Sequence, residues 1–249
     1  MSLPEKHFQL AEEYSAQGQP NRAIEEFKKV IAVDEKNALA PKALIKVGLV
    51  YREKLKDYKE AISSFRKAYK RSVDSSDKIL SLKTIAQIYR DDLDDSKAAA
   101  EELATLYKEF GVSFKGGDEV LLEYSRVLRD ASNYEEANKK YEEFLEKFPG
   151  HKEGPRVMLE NANALLSARK YPVAEEKLKE IIEKFKGREE FRSLVAEAEY
   201  SLGSLYEEKD DAAKAEEFYL LAKEAYPNPE VMKLKLQGLE RRKKERTTQ

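Results

Sequence analysis

The chain has 249 residues, 38% of them charged, with 46 Lys+Arg against 48 Asp+Glu, no Cys, no Trp and two His. Without cysteine there can be no disulfide framework, thiolate zinc site, Fe–S cluster or cysteine nucleophile, and His7 and His151 lie too far apart for a local imidazole metal motif. A net charge of −2 argues against a general nucleic-acid binder, and 41% apolar residues under so much charge suit a thin helical array better than one thick core.

In chain order, the first predicted helices cover 4–17 and 20–33, with Gly18 and Pro20 in the turn between them. The opening MSLPEKHFQLAEEY runs straight into an amphipathic helix. The chain as written therefore reads as cytoplasmic, or as bacterial periplasmic or cell-envelope if a leader has been removed. Further pairs are predicted at 38–54 and 58–71, 74–92 and 95–110, 116–131 and 134–147, 152–168 and 171–186, and 189–208 and 211–225. The most apolar stretch, Ala43 to Tyr51, contains Lys46 and is too short for a membrane span, so it reads as a buried helix face. The stretch GVSFKGGD at 111–118 reads as a slightly long turn, with a hinge between two halves as the alternative. Asn228-Pro229 opens a thirteenth helix with Met232, Leu236 and Leu239 at helical spacing, an apolar face suited to capping the last hairpin. From Lys233 to Arg246 it carries seven cations and two acids, which suits a helix C-terminus.

The second helices of these pairs repeat one signature. Ala23, Ala61, Ala99, Ala137, Ala174 and Ala215 recur at spacings of 38, 38, 38, 37 and 41 residues. Four residues after each comes a large apolar residue, Phe27, Phe65, Leu103, Tyr141, Leu178 and Tyr219, and three further on Val30, Ala68, Leu106, Phe144, Ile181 and Ala222. These offsets trace one helix face. The first helices carry triplets with a small middle residue: Leu10-Ala11-Tyr14, Val47-Gly48-Tyr51, Ile85-Ala86-Tyr89, Tyr124-Ser125-Leu128, Asn161-Ala162-Leu165 and Leu202-Gly203-Tyr206. A small residue there lets a neighbouring helix approach closely, which accounts for Gly48 and Gly203 despite the helix-propensity cost of glycine.

This pattern resembles the tetratricopeptide repeat family over roughly residues 5 to 227, the last unit most closely, with Leu202, Gly203, Tyr206, Ala215, Tyr219, Ala222 and Pro227. The long-repeat form is similar to bacterial cell-envelope members. The first-helix tryptophan is absent, Asn161 occupies an apolar position, and the period of 38 exceeds the family's usual length of about 34. The resemblance implies an all-α, right-handed superhelical solenoid of about 13 helices. Its six repeats are expected at 4–36, 38–73, 74–111, 116–150, 152–187 and 189–227, with a capping helix and basic tail at 228–249.

In that family the first helices line a concave groove, and positions following the small and aromatic residues point into it. Here those positions are Glu12 and Ser15, Leu49 and Arg52, Gln87 and Arg90, Arg126 and Arg129, Asn163 and Leu166, and Ser204 and Glu207. Arg52, Arg90 and Arg129 form a ladder in three consecutive units, with Arg126 one turn before the last and Lys46 and Lys83 nearby. Aligned guanidiniums are forked donors for carboxylates, so Lys46, Arg52, Lys83, Gln87, Arg90, Arg126, Arg129 and Asn163 form the candidate groove for an acidic peptide or partner helix. Alternatively each arginine pairs with an acid, Glu53, Asp91 or Asp130, from an adjacent unit. The carboxylate-clamp pattern of chaperone-binding members is matched poorly, because Glu123 stands where a neutral donor is wanted. No phosphate loop, dinucleotide fingerprint, HExxH, GxSxG or EF-hand is present. The expectation is a non-enzymatic scaffold or adaptor for a protein or peptide, with no cofactor, metal or small-molecule substrate. Homo-oligomeric self-assembly is the first alternative; tethering to membrane or nucleic acid through the basic tail is the second.

Overall fold

A computed structural model describes residues 1–33 and 38–247. The end of the first expected repeat at 34–36 and the last two residues of the tail lie outside the described residues. All described secondary structure is helical.

The chain divides into two compact units, Met1–Ala131 and Ser132–Gln249. The boundary falls in the turn of the fourth expected hairpin and not at 111–118, which lies inside the first unit. That unit contains α1 (Leu3–Ala16), α2 (Pro20–Val33), α3 (Leu39–Val50), α4 (Tyr58–Arg71), α5 (Ser75–Gln87), α6 (Ser96–Phe110) and α7 (Gly117–Asp130). Two first helices end in a widened π-helical turn, Tyr51–Leu55 after α3 and Ile88–Asp92 after α5. The second unit contains α8 (Tyr134–Lys147), α9 (Gly154–Ser167), α10 (Tyr171–Phe185), a single 3-10 turn at Glu189–Phe191, α11 (Arg192–Glu208), α12 (Ala212–Ala222) and α13 (Pro229–Thr247).

The repeat signature is the core. All eighteen second-helix residues at the alanine, +4 and +7 positions are at most 1% exposed. The small first-helix residues let those side chains in. A Cβ on Gly48 would lie 2.7 Å from the Phe65 ring, and one on Gly203 would lie 2.5 Å from the Tyr219 ring, so each glycine seats the +4 aromatic of its own hairpin. Leu10 is exposed, although α1 packs on α2 and α3.

The tight turns inside the hairpins share one backbone solution. Gly18, Lys56, Asp94, Ser132, Arg169 and Asp210 all have φ between 53° and 72°, the left-handed region. In three of them an aspartate follows at once and caps the next helix: Asp57, Asp95 and Asp211 accept from the backbone N–H of Glu60, Ala98 and Lys214. The longer 111–118 turn needs Gly117, where a Cβ would meet the Val112 carbonyl oxygen at 2.1 Å.

In the second unit α13 lays Met232 and Leu239, both fully buried, into a cluster with Tyr206, Ala215 and Tyr219. Its basic face turns back on the last hairpin: Lys235 and Arg242 pair with Glu207, and Lys243 pairs with Glu216.

Candidate functional site

In the first unit, α1 contacts α3 and α3 contacts α5, so the first helices stand side by side as the repeat pattern requires. Seven of the eight candidate residues lie on this row, with its π-helical turns, or on α7. Lys46 on α3 reaches Glu12 on α1, Nζ to Oε1 2.7 Å, and Lys83 on α5 reaches Glu119 on α7 at 3.5 Å. Arg52 and Arg90 sit in the two π-helical turns. Arg52 Nε donates to Asp92 at 2.7 Å, with Asp91 at 3.9 Å. Arg90 donates to its neighbour Asp91 at 2.6 and 3.0 Å and to Glu123 on α7 at 2.6 Å. Arg129 pairs with the adjacent Asp130 at 2.8 Å. Arg126 lies one turn earlier, half-buried and also engaged. Gln87 is the half-buried last residue of α5. Asn163, on α9 in the second unit, has its Oδ1 buried without a hydrogen-bond partner among the described residues.

Arg52, Arg90 and Arg129 are thus not bare cations. Arg90 and Arg129 hold the acids next to them in sequence, while Arg52, through Asp92, and Arg90, through Glu123, also reach the following repeat. Burial pushes the Glu123 carboxyl above the ordinary range, and the charges of Arg90 and Lys83 only partly offset that. For Arg90 the hydrogen bonds to Asp91 lead, and with Glu123 they outweigh burial and raise its already high pKa.

Between α1 and α3 opens a cavity of about 420 Å³ lined by Glu12, Ser15, Lys46, Leu49 and Glu53 among others. Four of those five are groove-phase residues or their immediate ladder neighbour. A second cavity on first helices, about 430 Å³, lies in the second unit where Leu166, Ser204 and Glu207 meet Lys235 and Arg242 of α13. There Glu207 is a hub: it accepts from the Tyr219 hydroxyl and from Lys235 and Arg242. Burial alone would raise its pKa, but the Lys235 and Tyr219 hydrogen bonds, the Lys235 charge and Arg242 together hold it below the ordinary range. Burial and the Glu207 carboxylate push the Tyr219 phenol well above its ordinary value.

A larger cavity, about 660 Å³, is formed instead by α8, α9, α10 and the loops after α8 and α10. The groove rule carried no signal for it. The one clue in the sequence was Asn161, the polar residue at an apolar repeat position, which lies on its lining. Among the described residues no cluster of His, Asp and Glu is placed to hold a metal ion, and no helix is long and apolar enough to cross a membrane.

Comparison with known proteins agrees with this architecture. Models of the tetratricopeptide repeat match residues 8–76 and 159–228, and another matches residues 119–151. No curated protein matches the sequence. Among solved structures, a tetratricopeptide repeat protein from Parabacteroides merdae superposes with a TM-score of 0.55 at 17% identity, over 95% of this chain and 98% of that one. The MamA protein superposes with a TM-score of 0.53 at 18% identity, over 76% of this chain and 94% of its own. At these identities the likeness is one of fold. With family models covering most of six buried, in-phase repeats, the chain belongs to the tetratricopeptide repeat family.

Proposed function

We propose that this protein is a non-enzymatic interaction scaffold whose first-helix face in the unit Met1–Ala131 receives a peptide or partner helix bearing acidic side chains. Tetratricopeptide repeats generally mediate protein–protein interaction. The observation that carries the finer reading is the placement of Arg52 and Arg90 in the two π-helical turns of the first helices. Such turns widen a helix at a cost in hydrogen-bond regularity and are frequent at functional sites. Both arginines reach Asp91, whose side chain is 45% exposed. Partly exposed ion pairs of this sort are worth only about 0–1 kcal/mol. An incoming carboxylate therefore exchanges for an internal one at little cost, and the α1–α3 cavity beside Leu49 takes an apolar side chain of the same ligand.

The test is photo-crosslinking of the full chain, with a benzophenone amino acid at Leu49 or Gln87 and, as control, at the exposed second-helix residue Lys67. Specific adducts at the first two positions, competed by unlabelled protein, are expected. Adducts that form equally at Lys67, or none at the first-helix positions, would refute the reading.

Self-assembly is a second reading, favoured by the exposed leucines Leu220 and Leu221 on α12 and Leu234 on α13. Light scattering across concentrations tests it, and a monodisperse monomer throughout would count against it. Tethering through the tail has less support, since Arg242 and Lys243 are already paired within the fold.

A further inference from the structure

We infer that the cavity framed by α8, α9 and α10 is a second binding site, distinct from the proposed groove, for an acidic peptide segment with a large apolar anchor residue. The site lies wholly within the second compact unit. Its volume of about 660 Å³ is within the range of ligand pockets.

Three features of the lining define the ligand. Phe148, Phe185 and Phe191 form an aromatic wall, with the Phe185 and Phe191 ring centroids 4.6 Å apart. Phe148 and Phe191 are only half-buried, so they present apolar surface to an occupant. Cations outnumber acids around that wall: Lys152, Lys177, Lys184 and Arg188 against Glu180 alone. Lys177 is paired with Glu142, but Lys152, Lys184 and Arg188 make no ion pair among the described residues, in contrast to the first-helix ladder. Lys184 and Arg188 instead lie over the Phe185 ring, 5.7 and 5.9 Å from its centroid, where they flank the wall.

The third feature is Asn161. It lines the cavity from α9 and is 1% exposed, yet neither Nδ2 nor Oδ1 has a hydrogen-bond partner among the described residues. Buried polar groups are nearly always satisfied, and an orphan amide needs a reason. Five of the six repeats place a residue other than a primary amide here, so the fold itself does not require one. A primary amide offers both a donor and an acceptor, which is the complement of a peptide group. An extended peptide can thus set its anchor against the phenylalanines, its backbone on Asn161 and its carboxylates on Lys184 and Arg188. An acidic chain with no anchor would leave the wall wet, and a basic one would meet three unpaired cations.

The test is selection of a random peptide display library on the intact chain, followed by affinity measurement with synthetic copies of the enriched peptides. Enriched sequences are expected to place acids around an aromatic or long aliphatic residue. Their affinity should fall at least tenfold with Lys184→Glu/Arg188→Glu, whose sites are exposed and leave the core intact, and at least tenfold with Asn161→Leu. Asn161→Leu restores the apolar pattern and should melt no lower than the parent, which separates loss of a contact from loss of fold. The groove variant Arg52→Glu/Arg90→Glu should leave these peptides' affinity unchanged. If no enriched peptide distinguishes the parent from Lys184→Glu/Arg188→Glu, the site is refuted, whatever the fate of the first-helix groove.

Discussion

Replacing Gly48 with alanine sets two known effects against each other at one site. In an ordinary helix interior the change stabilises by about 1 kcal/mol, because glycine has the greater freedom to lose on folding. Here the new Cβ would lie 2.7 Å from Phe65 Cε2 and 2.9 Å from two further ring atoms. Phe65 is fully buried among Ala61, Ala68 and Ile85, so its ring cannot swing into solvent. Overpacking of this kind costs about 1–3 kcal/mol. The net expectation is a loss of about 1 kcal/mol, against a gain of the same size without the contact. Urea titration followed by circular dichroism reads the difference, and a cycle with Phe65→Leu isolates it. Once the ring is shortened, Gly48→Ala should become neutral or stabilising, a coupling of about 1–3 kcal/mol. If Gly48→Ala instead stabilises the parent, and its effect adds to that of Phe65→Leu, close approach is not why glycine stands there.

Two further outcomes follow from the turns and the charges. Lys56 and Arg169 occupy left-handed backbone at φ 55° and 57°; Lys56→Gly and Arg169→Gly should each raise stability by about 0.5–1 kcal/mol in the same assay, since the strain relieved exceeds the added chain entropy. Glu175 is held at about 2 by hydrogen bonds from Lys179, Lys209 and Tyr206, against an ordinary 4.5. Its contribution is complete above pH 4.5 and is lost as pH falls from there toward 2, so Glu175→Gln should cost on the order of 1 kcal/mol at neutral pH and progressively less through that window. A mutational cost that is the same at pH 2.5 and pH 7 by thermal melting would refute the assignment.

The fold was legible because its information is periodic. The alanines at 23, 61, 99, 137, 174 and 215 and their +4 and +7 partners need only the 3.6-residue repeat of a helix to be placed on one face, and all are buried. The glycines at 48 and 203 could be read as close-approach sites for the same reason. The turn conformation was not legible: Lys56, Asp94, Ser132, Arg169 and Asp210 have no common side-chain chemistry, and the left-handed backbone is imposed by the hairpin closing around them. The π-helical turns at Tyr51–Leu55 and Ile88–Asp92 were likewise hidden, since one extra residue in a turn leaves no mark on composition. For the arginines, helical phase put Arg52, Arg90 and Arg129 on one face, but the choice between Asp92 of the next repeat and the adjacent Asp91 or Asp130 depends on the stagger between helices. The cavity walled by Phe148, Phe185 and Phe191 joins two loops and three helices, so no single spacing announced it. Only Asn161, by breaking the apolar pattern, pointed there.

The central claim is that a ligand is received on the first helices of the unit Met1–Ala131. Hydrogen exchange of the full chain, with and without the partner or peptide captured by crosslinking at Leu49, tests it most directly. Slowed exchange is predicted in α3, α5 and the π-helical turns that hold Arg52 and Arg90, and it should be lost with Arg52→Glu/Arg90→Glu. Protection confined to the second helices α2, α4 and α6, or protection unchanged by that double substitution, would contradict the account.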